Sequence, residues 1–213
     1  MNPTEIERLF TRSDGSFLCA RWGRPIVPVV FGVADETLAV LKGAVEAVVA
    51  LAGHKMAETD PELGANYLVF FCRDWDELLS VPDLDRLVEG LEPLVRRLEA
   101  AGANQYRVFR FDPDGAIRAC FAFVRMDEQM AQVPADVLAL NQAVQMILLW
   151  SDSAFVGTSP LARAPAGEGE EGQVILRPDI AGVIRAAYDA ALPASAGDAS
   201  HALRLSARMG VLQ

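Results

Sequence analysis

Ala139-Leu-Asn-Gln-Ala-Val-Gln-Met-Ile-Leu-Leu-Trp-Ser-Asp-Ser153 sets a short row of amides into an otherwise apolar stretch. The pattern predicts a helix over Pro134–Leu149, opened by the proline and buried along Ala143–Trp150. Asn141 and Gln145 stand four residues apart and therefore share one helix face, with Gln142 beside the first of them. Two readings of these amides stand open. They form a polar stripe that is exposed or bonded to neighbouring loops, or they line a polar pocket. Buried amides need partners and exposed ones do not. Neither reading provides a general base, because an amide takes no proton near neutral pH.

Working outward, Ile26–Phe31 reads as a strand whose start or edge position is marked by Pro25 and Pro28. Asp35 is a candidate cap for a long helix through Ala52, with Leu38, Leu41, Val45, Val48 and Val49 at helical spacing and Gly53 as its stop. Tyr67–Cys72 is a near-continuous apolar run, as expected in the middle of a sheet. One helix is predicted from Leu84 to Leu98, closed by Gly102, with Glu92 and Arg96 paired on its outer face. Tyr106–Phe111 alternates with period two, and Asp112-Pro-Asp-Gly115 is a hairpin turn into a returning strand, Ala116–Arg125. Ser151–Gln173 reads as loop, Pro178–Ala191 as a helix and Asp198–Met209 as a last amphipathic helix. The order predicts an α+β (mixed α/β) fold: one domain over 1–213, with a core at about 20–155, a flexible acidic loop at about 160–173 and a C-terminal helical part at 174–213.

Composition narrows the functional classes. The 213 residues are 52% hydrophobic, with a formal net charge of −10 and no basic block. Nucleic acid is therefore not an expected partner, because binding it requires a positive surface. No apolar run reaches the roughly 18–20 residues of a membrane span. The polar start, MNPTEIERLF, carries no secretory signal, so the chain as given is expected in the cytoplasm, or in the periplasm if a leader was removed. Cys19, Cys72 and Cys120 lie in apolar contexts without a C-x-x-C pair and read as buried free thiols.

Several shorter patterns have plain readings. Gly167-Glu-Gly-Glu-Glu-Gly172 fits G-x-G-x-x-G, but its glutamates would repel phosphate, and it reads as a solvated loop. Asp112-x-Asp114-Gly115 matches the start of a calcium loop and lacks its later ligands. His54 follows Gly53 at a helix end, where the dipole favours a cation, and His201 has no second ligand near it in sequence. Arg21 and Trp22 are either a recognition patch or the cover of a core edge.

Set in this order, the motifs resemble a bacterial family of uncharacterised zincin-like (matrixin-related) proteins. The resemblance rests on Arg21-Trp22-Gly23-Arg24-Pro25, on Ala65–Phe71 with its Ala-Asn-Tyr start, and on LRPDIAGVIRAAYDAALP with Asp179 and Tyr188-Asp189, and it covers residues 20 to 205 roughly. It implies a zincin-like fold: a twisted mixed sheet, a long helix after the first strand, an active-site helix and C-terminal helices. In that alignment the H-E-x-x-H positions read Asn141, Gln142 and Gln145, and the third His position falls near Ser151. Zinc prefers imidazole, thiolate and carboxylate, and the chain has only two histidines, so the motif is degenerate. The resemblance therefore implies a non-catalytic domain without metal, cofactor or catalytic residues. A peptide or small ligand would bind in the former catalytic cleft at Asn141, Gln142, Gln145 and Ser151. The alternatives are a hydrolase using carboxylates such as Asp74, Asp76, Asp127 or Glu128, or a non-standard metal site, and a structural subunit that buries apolar helices against a protein partner.

Overall fold

The apolar run Tyr67–Cys72 has cover on both faces. The computed structural model describes residues 1–165 and 172–211. In chain order it places α1 (Pro3–Arg8), β1 (Cys19–Ala20), β2 (Pro28–Phe31), α2 (Asp35–Leu51), β3 (Tyr67–Cys72), α3 (Leu84–Leu87) and α4 (Leu91–Ala100). There follow β4 (Gln105–Phe111), β5 (Ile117–Arg125), α5 (Ala135–Ile147), β6 (Leu161–Arg163), β7 (Val174–Leu176), α6 (Pro178–Ala187), β8 (Ser195–Ala196) and α7 (His201–Val211). The main sheet has the order β2-β3-β5-β4. Its first three strands are parallel, and β4 runs antiparallel to β5 at the edge.

Alternation along the central strands builds two cores. Tyr67, Val69 and Phe71 of β3, with Cys120, Ala122 and Val124 of β5, face α2, α5, α6 and α7. Phe70, Cys72, Ala119, Phe121 and Phe123 face the opposite layer of Trp75, Leu78 and the helices α3 and α4. A strand buried on both sides has no polar face, which is why β3 reads as a continuous apolar run. The mixed α+β class is thus as expected, and Pro28 opens an edge strand.

Helix α2 presents Leu41, Val45, Val48 and Val49 to this core and packs along α5. It ends as the sequence indicates. Gly53 takes φ +66°, and the amides of Gly53 and His54 bond to the carbonyls of Ala50 and Val49 at 2.9 and 3.0 Å. Its start differs: Ala34 is the cap residue, and Asp35 is already helical. The helix expected over Leu84–Leu98 is two helices, because Gly90 at φ +70° breaks the backbone between α3 and α4. The apolar spacing runs on across that break, which hides it from a periodicity argument.

Other boundaries also shift. The polar N-terminus forms α1, closed by a capping box between Asn2 and Glu5, with Ile6 fully buried. The stretch expected as loop, Ser151–Gln173, contains β6, which pairs antiparallel with β7 just beyond it. Residues 166–171 of the acidic loop, which hold most of the G-x-G-x-x-G stretch, lie outside the described residues. Helix α6 stops at Ala187 rather than Ala191. Among the described residues, no helix is long and apolar enough to cross a membrane.

The C-terminal end of α5 positions the site, and distant rings hold it. The last carbonyls of a helix have no partner within the helix. Here Trp150 Nε1 donates to the Val144 carbonyl, Trp22 Nε1 to that of Met146 and the Tyr188 hydroxyl to that of Ile147, each at 2.8 Å. Trp22 is fully buried. Its indole is therefore a cap rather than part of an exposed recognition patch, and Arg21 lies over the Tyr188 ring at 5.5 Å.

Candidate functional site

The edge strand β4 and the C-terminal half of α5 form the walls of a cleft of about 770 Å³. The loop after α5 and the turn after α1 complete it, through Trp150, Ser151, Phe155 and Ser13 among others. Asp152 ties these two segments together, accepting from the Ser13 amide at 2.9 Å and its hydroxyl at 2.5 Å.

The ladder decides which main-chain groups of β4 face the cleft. The Arg125 amide donates to the Asn104 carbonyl at 2.8 Å, and the register then pairs Gln105 with Val124 and Arg107 with Ala122. Hydrogen-bonding direction alternates along an antiparallel strand. Asn104, Tyr106 and Val108 therefore point their amides and carbonyls at β5, and Gln105, Arg107 and Phe109 point theirs away from the sheet.

The side chains of Gln105 and Arg107 meet the amides of α5. Arg107 Nη1 donates to Gln145 Oε1 at 2.8 Å, and Nη2 donates to Gln142 Oε1 at 2.5 Å and Gln105 Oε1 at 3.3 Å. Gln142 Nε2 donates to Gln105 Oε1 at 2.7 Å, and Gln145 Nε2 donates to Asn141 Oδ1. Asn141, Gln142 and Gln145 are thus brought together, with Gln142 fully buried. Every acceptor around the guanidinium is a neutral amide. Among the described residues no carboxylate lies within ion-pair distance of Arg107, and its Nε is buried without a partner. Burial lowers the Arg107 pKa, with partial relief from Tyr67 and Cys120.

Ser151 reaches the same cleft but not the amide cluster. Its hydroxyl donates to the Arg8 carbonyl at 3.3 Å and lies 3.2 Å from the Ser153 hydroxyl, so it joins α1 to the wall. The carboxylates considered for catalysis are not cleft residues. Asp127 accepts from the amides of Gln129 and Met130 in a local turn, and Asp74 opens the 3-10 turn at Trp75–Ser80. Among the described residues no three His, Cys, Asp or Glu converge as a metal site. The three cysteines are free and buried, and burial pushes Cys19 and Cys120 up to about 12 and Cys72 up to about 11. His54 is not a helix-end cation: burial lowers its pKa, and its Nε2 bonds to the Arg24 carbonyl at 2.9 Å.

Arg107 and Gln105 are site residues that no motif of the sequence marks out. A signal was present, because Arg107 shares its strand face with Phe109 and Phe111, and a cation on an apolar face calls for a reason. Compared with known proteins, the chain matches no family model, no curated protein and no solved structure.

Proposed function

We propose that the chain is a non-catalytic zincin-like domain that holds an extended peptide in this cleft by adding it as a strand beside β4. The observation that carries the reading is the edge of β4, which among the described residues pairs with no strand besides β5 and turns the main-chain groups of Gln105, Arg107 and Phe109 away from it. Such groups recognise an extended chain without regard to its sequence, and flanking pockets then select side chains. A second observation fits the same reading. The guanidinium of Arg107 bonds to Gln142 and Gln145, which the resemblance aligns with the base and a ligand of a zincin, and on that alignment a cation would stand in place of the metal.

The reading predicts near-zero zinc after incubation with the metal, no peptidase activity, and selection of peptides from a displayed random library. Bound peptides should slow hydrogen exchange at the Arg107 and Phe109 amides, and N-methylation at alternate peptide positions should abolish binding. A tightly bound stoichiometric zinc, or a library that yields no binder, would overturn it.

A further inference from the structure

The cleft changes character along β4, and that gradient specifies its occupant. Towards the start of β4 the lining carries Gln105 and Arg107, with Gln145 bonded to Arg107, and towards its end it carries Phe109 and Phe111; Trp150, Phe155 and Val156 add apolar lining from the loop after α5. Phe111 and Val156 are exposed at 39% and 77%. Neighbouring side chains on one face of a strand are two residues apart, about 6.7 Å. The step from Arg107 to Phe109 therefore matches alternate residues of a peptide lying alongside, and the register shifts only beyond it, between Arg110 and Phe111.

Resting on the strand-addition reading, we infer that the cleft selects an extended peptide with an acidic side chain opposite Arg107 and an apolar side chain two positions away, opposite Phe109. The donor inventory supports the acidic position. A guanidinium has five N–H donors, and among the described residues Arg107 spends them on only three amide contacts. One Nη1 hydrogen is unspent. So is one hydrogen of Gln145 Nε2, whose other contact is Asn141. Gln145 and Arg107 both line the cleft, so a carboxylate entering there meets two unspent donors and an uncompensated positive charge. A side-chain carboxylate fits better than a chain terminus, because the outward main-chain groups of Gln105 and Phe109 lie on either side of Arg107 and invite the peptide to continue both ways. The other charges in the cleft lie on different segments: Asp152 binds Ser13, Asp14 binds Ser16, and Arg12 stands beside both carboxylates.

The test uses terminally blocked heptapeptides with Glu and Leu two positions apart, their Gln analogues, and a Glu-free version with a free C-terminal carboxylate, read by fluorescence anisotropy on the full chain. The Glu peptide should bind at least about ten-fold more tightly than its Gln analogue. Arg107→Met should erase that difference, so that the Glu peptide and its Gln analogue bind the variant alike. Should Arg107→Met fail to fold, Gln145→Leu supplies the second variant, and the Glu-to-Gln ratio should then shrink several-fold. Equal binding of Glu and Gln peptides to the wild type overturns acid selection and leaves strand addition standing. Binding of the free-carboxylate version alone overturns it in favour of terminus capture. Failure of every peptide, with an empty library selection, overturns strand addition itself.

Discussion

Arg24 and Arg107 are both drawn into the fold, yet opposite company surrounds them. Arg24 meets Asp60 at 3.5 Å, Glu62 at 3.2 Å and Asp112 at 2.8 Å. Burial opposes its charge, but hydrogen bonds to Asp112 and Glu62 outweigh that, and its pKa is raised. Arg107 meets three glutamines, and its pKa is lowered. A buried charge kept for structure is normally paired. The compensated cluster therefore reads as a clamp, and the uncompensated one as a receptor that keeps its charge for something outside the chain.

The clamp is where the largest stability effect is expected. Asn66, fully buried, accepts from the Val27 amide at 2.8 Å and donates to the Pro25 carbonyl at 2.9 Å and to Asp60 Oδ2 at 3.1 Å. It thereby holds the entry of β2 against the turn before β3. Asn66→Ala leaves those buried groups without partners and should cost roughly 3 kcal/mol, read by urea unfolding. A loss below about 1 kcal/mol would mean that this cluster is no clamp.

A direct contrast of the two arginines follows. Arg24→Met strands Asp60 and Asp112 and should destabilise by roughly 2 kcal/mol. The double variant Arg107→Met with Gln142→Leu removes a cation and its buried acceptor together. The remaining acceptors, Gln105 Oε1 and Gln145 Oε1, belong to partly buried side chains that line the cleft, where water can replace the lost donors. Replacing both buried partners by apolar groups is near neutral or stabilising. It should hold or raise stability by about 1 kcal/mol while losing the acid preference in peptide binding. If the double variant falls as far as Arg24→Met, Arg107 serves the fold and the contrast is broken.

The same pair of clusters shows how far the sequence was legible. Local signals carried well: β3 begins and ends at Tyr67 and Cys72 as read, the Asp112–Gly115 turn joins β4 to β5, and Gly53 ends α2. Each depends on neighbours in the chain. Trp22 and Tyr188 were visible as motif residues, but their work, capping carbonyls of α5, joins positions more than a hundred and some forty residues apart. No periodicity encodes such a bond. The amides of α5 were legible as a row on one face. Whether they met solvent, a loop or a cation depended on the register of β4, which places Arg107 opposite Ala122 and above Gln142. The continuous spacing across Gly90 failed for the converse reason: a local backbone break left the apolar pattern intact.

The smallest expected effect sharpens the comparison through pH. Burial lowers the pKa of both histidines below the ordinary 6.5, and for His54 the nearby Arg21 and Lys55 add to this while the Arg24 carbonyl opposes it. The folded state therefore prefers both rings neutral. Their contribution is complete above about pH 6.5 and is lost as pH falls through the lower folded values, because the unfolded chain takes up the protons first. Asp60 titrates in a separate window. Burial would raise its pKa, but the Leu63 and Glu62 amides, Asn66 and Arg24 hold it below 3.8, so its contribution stays whole until pH drops under the ordinary carboxylate range. Unfolding midpoints in urea should thus decline gently in the range just below pH 6.5, where Asp60 does not yet respond. His54→Gln should flatten part of that slope, since a glutamine amide can still donate to the Arg24 carbonyl without titrating. A slope unchanged in that variant would place the titration at His201, whose buried Nδ1 has no partner, and would leave the Arg24 cluster insensitive to pH throughout this range.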